Sequence, residues 1–481
     1  MPRDSSQTAA GAAPRNELMF PSEPIRGRSL MNLKMMLESY LGGDGVGGEV
    51  RDLDLAMLMN VPLNRLSQLK RARSSIETVG RDVDTEAGDD ESDDDDARSA
   101  AVGELEAVPP DAADLPGLRP NQAILVRLLL QHPEWVPMPL RPSPAALFEL
   151  LQPFMPAPAG KGGFAPLFGR SSVSSYKMLA DTDAGTQAAG VPVVRLQLLV
   201  VGQYARVFAA ALREEAAADT SAPDSVMQTL AARSGWGLLR ERDSLTDWMG
   251  DDQLLRFEAR VAEGFRHWFE DQYLAVLADE ARSRDLSLDE ALVKGKWANS
   301  APVSDADFAT YSRPQKPILG RADSLFSLFR ESFGLTSAEA YWVLGLQVKA
   351  FYRFRQRPDR RVDAPTAILL RYLFRYPGDI DLFIPPPMAG ADILEAIRRE
   401  RPDLRTSQLG PLFGASRVMS YDFASEGTPC PFFARRLSMV FSACTRAGEP
   451  IVEALWDCVE DEVRARGLSL EQFWRDGRWH Q

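Results

Sequence analysis

Histidine and cysteine are scarce in this chain, three of each among 481 residues, and lysine supplies only eight of its 55 cations. His132, His267 and His480 stand far apart, which leaves little material for imidazole metal sites or catalytic triads. Cys430, Cys444 and Cys458 recur at 14-residue spacing near the end of the chain. Three thiols at that spacing build no disulfide framework and match no zinc pattern, so reduced thiols packed in helices are expected. P-loop, GxGxxG, GxSxG and HExxH patterns are all missing. No catalytic residue, metal or cofactor is therefore nominated, and the expectation is a protein that is not an enzyme. No stretch approaches the ~18 consecutive apolar residues of a membrane span, and the first thirty residues lack the apolar centre of a secretory signal. A soluble, cytoplasmic protein with no membrane contact is the expectation.

Apolar residues make up 45% and charged residues 26%, ordinary values for globular domains. At 481 residues, two to four domains are expected rather than one core. The net charge of −13 argues at face value against nucleic acid, but its location changes that conclusion. Asp82–Asp114 holds fourteen acids and one base, Arg98, so this stretch alone carries −13 and the remaining 448 residues sum to zero. Arg provides 47 of the cations. Arg suits bidentate phosphate and base contacts, although a GC-rich genome produces the same bias and is the weightier explanation.

The most informative feature is self-similarity. Ala123-Ile-Leu-Val-Arg127 through Pro133 reads against Ala367-Ile-Leu-Leu-Arg371 through Pro377, at an offset of 244. Pro166-Leu-Phe-Gly169 matches Pro411-Leu-Phe-Gly414 and Ser175-Tyr176 matches Ser420-Tyr421, at 245. Leu286-Ser-Leu with Trp297 then matches Leu468-Ser-Leu with Trp479 at 182, which locates an insertion near residues 203–260 of the first copy. Ser29-Leu30 and Glu38-Ser39-Tyr40 likewise resemble Ser324-Leu325 and Glu331-Ser332-Phe333. Two homologous halves are expected.

Residues 1–26 read as a loose tail and 27–73 as a first helical segment. Residues 74–116 read as an acidic disordered linker, and 117–298 as the closing helix and helical module of the first half. Residues 299–322, with three prolines, read as the joint. Residues 323–383 then repeat the first segment and 384–481 the helical module. Apolar spacing of three and four over Leu328–Phe333, Ser337–Leu344 and Thr366–Tyr376 makes the expected fold class all-α. Val191–Val201, rich in Val and Leu, is the one place where a short strand is a competing reading. The Trp and Leu residues of the trailing modules, Trp268, Trp297, Trp456 and Trp479 among them, are expected in cores or at a homo-oligomer or protein-partner surface.

Residues 334–358 combine a candidate N-cap at Thr336, an apolar inner face of Ala340, Val343 and Leu344, and a corner at Gly345-Leu346. A second helix from Gln347 would bury Phe351 and Phe354 and is followed by a Pro-initiated amphipathic helix. This pattern resembles the helix-turn-helix of the Cro/C1 (lambda-repressor-like) DNA-binding family, over about fifty residues in each half. The resemblance implies a second helix lying in the major groove with its first residues at base edges. Those residues would be Gln347, Val348, Lys349, Tyr352 and Arg353, with Arg357 beyond them. From Leu346 to Arg361 six cations face one acid, Asp359. In the first half Asn60 takes the glycine position, and Arg65, Gln68, Lys70 and Arg71 are the polar residues of the following helix. A third Gly corner, Leu167–Lys177, recurs at Leu412–Tyr421, with Asp422 in place of Lys177.

The resulting expectation is a bacterial-type transcription regulator that binds double-stranded DNA sequence-specifically without catalysis, nucleoid-associated when bound. The rival is a helical assembly protein that uses helix-turn-helix folds as protein-docking scaffolds.

Overall fold

The computed structural model describes residues 23–25, 27–42, 50–61, 65–67, 69, 118–139, 142–156, 160–180, 191–219, 221–297, 325–346 and 363–479. Among them every regular element is helical, so the all-α expectation holds. The first stretch holds α1 (Gly27–Gly42), α2 (Asp52–Leu58), α3 (Pro120–Gln131), α4 (Pro144–Leu151) and α5 (Ser172–Met178). Then come α6 (Val191–Ala218), α7 (Asp224–Ala232), α8 (Gly235–Arg240), α9 (Arg242–Thr246), α10 (Asp251–Trp268), α11 (Leu274–Arg282) and α12 (Leu288–Leu292). The later part holds α13 (Leu325–Ser332), α14 (Ser337–Leu344), α15 (Ala364–Arg375), α16 (Gly390–Glu400) and α17 (Leu409–Leu412). It ends with α18 (Met419–Phe423), α19 (Arg435–Ala447), α20 (Ile451–Ala465) and α21 (Leu470–Asp476).

Two expectations need correction. The Val/Leu-rich run at 191–201 is no strand; it opens the 28-residue helix α6. Its side chains from Val193 to Ala205 are buried on every face, so the β-branched preference for strands is overridden by tertiary packing. The same helix is long and apolar enough to cross a membrane, yet 83% of its apolar window lies inside the protein. The end of the supposed loose tail is anchored. Ile25 is buried, and the Glu23 carbonyl accepts a 2.9 Å hydrogen bond from Arg127.

The helix entries follow their local chemistry. Pro at the first turn starts α3 and α15, where its missing N–H has no intrahelical partner to lose. Thr336 caps α14 in a reciprocal box with Glu339, and Ser287 caps α12 in the same way with Glu290.

The core is arranged in two clusters, one built mainly from the middle of the chain and one that joins its two ends. One joins residues 147–297 to residues 326–384. The other joins residues 25–135 to residues 393–479. Buried charges fasten each cluster. Arg371 Nε lies 2.5 Å from Glu280 Oε2, and Arg284 donates to the same carboxylate. Arg127 Nε lies 2.7 Å from Glu462 Oε2, and Arg466 donates to its other oxygen at 2.8 Å. These six residues form three pairs, Arg127 and Arg371, Glu280 and Glu462, and Arg284 and Arg466, spaced by 244 or 182, the offsets on which the sequence matches rest. Both glutamates are fully buried, so each depends on its arginines to offset the loss of hydration.

Candidate functional site

The helix-turn-helix-like corners have the local geometry expected of them. Gly345 ends α14 in the left-handed region at φ +64°, and Leu346 packs beneath it at 9% exposure. Asn60 does the same after α2 at φ +51°, a conformation that asparagine tolerates better than most residues. Of the ten nominated DNA contacts, Gln347, Val348, Lys349, Tyr352, Arg353, Arg357, Gln68, Lys70 and Arg71 lie outside the described residues. Arg65 is described; it is helical and half-buried.

What surrounds the corners was not foreseen. The first helices of the two modules, α2 and α14, pack directly on each other. Their far faces, which an isolated helix-turn-helix would leave to solvent, are closed by the starts of α6 and α19. Asp54, Met57, Glu339, Trp342 and Val343 are all at most 2% exposed. Arg195 of α6 donates from Nε to the Trp342 carbonyl at 2.8 Å and from Nη2 to Asp54 at 3.1 Å. Its guanidinium lies 3.9 Å from the Trp342 ring centroid, and Trp342 Nε1 donates to Asp54 at 2.6 Å. Arg436 of α19 repeats the arrangement, donating to the Met57 carbonyl at 2.8 Å and to Glu339 at 2.6 Å. Arg435 adds a second contact to Glu339 at 2.8 Å.

The corners themselves are seated against backbone. A Cβ on Gly345 would lie 2.8 Å from Pro192 N, and Asn60 Nδ2 donates to the Phe432 carbonyl at 3.3 Å. Composition arguments did not nominate Asp54, Arg195, Glu339 or Arg436. A usable signal was nonetheless present in Asp54 and Glu339. Glu339 is a lone acid in an otherwise apolar helical run, and Asp54 is followed directly by four apolar residues, positions that an acid keeps only with a buried cation.

The Glu339 carboxyl illustrates the balance. Burial pushes it up, but Arg436 and Arg435 together with the hydrogen bonds from Arg435 and the Thr336 backbone outweigh burial and hold it below its ordinary 4.5. A carboxyl depressed in the folded state contributes stability that is present above its unfolded pKa and is lost as pH falls through the folded value. The stability gap between the wild type and Glu339→Gln should therefore be constant near neutrality. It should narrow as pH drops below about 4.5, read as urea midpoints along a pH series. A gap that is unchanged down to acid unfolding would remove the ion pair from the account.

Elsewhere the chemistry is sparse. A cleft of about 880 Å³ lies between α6, α7 and α19, with Trp135, Trp236 and Met439 in its walls and Arg206 and Arg446 among its polar lining. Cys444 lines it too, and burial first and then Glu449 and Glu134 push that thiol up to about 12, which favours its protonated form near neutral pH. Among the described residues no group of three His, Cys, Asp or Glu side chains could hold a metal ion.

No family model, curated protein or solved structure matches this chain. Its function rests on its own geometry.

Proposed function

We propose that the chain is a non-catalytic helical docking scaffold, built from two homologous halves whose helix-turn-helix-like segments serve packing rather than groove reading. The observation that carries this reading is the burial of α2 and α14 against each other. A helix-turn-helix bound to DNA lays its first helix across the phosphate backbone. Here that surface is occupied by Asp54, Glu339, Arg195 and Arg436, whose charges are satisfied within the chain. The recurrence of Arg127–Glu462 and Arg371–Glu280 at the sequence offsets supports descent of both halves from one unit.

Duplex DNA binding is the second reading. Gly345 and Leu346 form the expected corner, and six cations follow within Leu346–Arg361. On that reading the chain is a sequence-specific regulator with Lys349 and Arg353 at base edges.

Selection from a random duplex pool in roughly 100 mM salt separates the two, because non-specific phosphate attraction is already much weakened there. The scaffold reading expects no enriched motif. An enriched motif whose affinity falls in the Lys349→Ala/Arg353→Ala variant, by roughly 1–3 kcal/mol per lost base contact, would establish DNA reading instead.

A further inference from the structure

The third glycine corner of each half is used by neither reading. It leads into a short helix, α5 in the first half and α18 in the second, and both are held in the same way. Ser175 Oγ donates to the Gly162 carbonyl and accepts from Ala165 N, each at 2.9 Å. Ser420 Oγ donates to the Ser407 carbonyl at 2.9 Å and accepts from Gly410 N at 2.8 Å. Both serines are fully buried, and the loop carrying Gly295 or Gly477 closes on Ser172 or Arg417 at the start of each short helix. These contacts hold the two helices rigidly on their cores.

What the helices expose also repeats. Val173 and Tyr176 are 69% and 65% exposed; their matches at an offset of 245, Val418 and Tyr421, are 75% and 56% exposed. Few large apolar side chains among the described residues are so open, and these four recur as two pairs. Tyrosine beside an aliphatic residue on a rigid support is the composition of an interface centre. The next position differs in sign, Lys177 in one and Asp422 in the other. Both are exposed, and among the described residues neither makes an ion pair within the chain.

We propose that these two patches dock on each other between copies of this chain, the Val173–Tyr176 face of one copy on the Val418–Tyr421 face of the next. The proposal rests on the scaffold reading and names its partner as a second copy. Charge selects the unlike pairing. A helix of seven residues is about 10 Å long, so charges at corresponding places on two facing patches fall within roughly a Debye length of each other. Unlike patches bring Lys177 toward the neighbour's Asp422, whereas like patches bring lysine toward lysine or aspartate toward aspartate. Within one chain the patches cannot cover each other, since all four apolar side chains are exposed. A contact between unlike patches is heterologous, so it propagates head to tail into a ring or an open filament.

Sedimentation velocity on the full chain tests this. The weight-average mass should rise past the dimer with concentration, and added salt should weaken the rise. Val173→Ser/Tyr176→Ser and Val418→Ser/Tyr421→Ser chains should each be monomeric with unchanged circular dichroism, because the replaced side chains are exposed. Mixed together, they should form a one-to-one dimer that grows no further, since each retains one intact patch. Lys177→Glu should weaken association by about tenfold or more, and adding Asp422→Lys to it should restore association. A wild type that stays monomeric, growth indifferent to both patch variants, or a closed dimer that either variant forms alone would overturn the proposal. Running the random duplex pool on the same samples keeps the two readings apart. A monomer without an enriched motif sinks only the self-docking, whereas a monomer with one sinks the scaffold reading as well.

Discussion

Glu462→Ala is expected to destabilise the protein by about 3–5 kcal/mol, the usual cost of leaving a buried cation without its partner. Glu462 is fully buried and receives Arg127 Nε at 2.7 Å and Arg466 Nε at 2.8 Å. Arg127 itself is fully buried in the middle of α3, more than three hundred residues away in sequence. Truncating the glutamate therefore strands a guanidinium in an apolar cluster and releases the first module from the last. Glu280→Ala should behave alike, since Arg371 and Arg284 meet it in the corresponding place. Replacing pair and partner together, as Arg127→Met/Glu462→Leu, should recover most of the loss, because the cost lies in the unpaired charge rather than in the missing attraction. Urea unfolding of the four chains checks this. A Glu462→Ala chain within 1 kcal/mol of the wild type would contradict it.

Gly414→Ala is expected to be about as damaging, for a steric reason. The residue sits at φ +74°, and an added Cβ would lie 2.1 Å from Asn121 N and 2.7 Å from Pro120 C. Those atoms open α3, so the overlap is with backbone that cannot swing aside. Gly169 has φ +73° but meets Pro365 N at 2.9 Å, and Gly427 has φ +72° with nothing within 4 Å. Gly427→Ala isolates the left-handed penalty of roughly 1–2 kcal/mol. Gly169→Ala should cost more, and Gly414→Ala should cost most, roughly 3 kcal/mol or above once overpacking is added. Thermal or urea midpoints in any other order would show that the two cores do not meet the third corner as described.

Much of this architecture was legible in the residues. Apolar spacing of three and four announced several of the helices, and Pro at the first turn located the start of α15. Thr336 with Glu339, and the left-handed Gly345 and Asn60, were readable because capping and corner geometry depend on side chains a few residues apart. Val191–Val201 was ambiguous for the opposite reason. A segment buried on all faces has no periodic contrast, so only its packing makes it a helix.

The order of modules along the chain says nothing of which module packs on which. Tertiary structure decided that. Residues 27–61 pack with the end of the chain, residues 326–346 pack with its middle, and α2 lies on α14. Burial of Asp54 and Glu339 follows from that crossing, because each acid finds an arginine, Arg195 or Arg436, supplied by a distant helix. Local pattern therefore determined by itself that the amphipathic segments would be helical and where several of them start and turn. Which faces meet was settled only in three dimensions, since burial and charge pairing depend on partners that no sequence window contains.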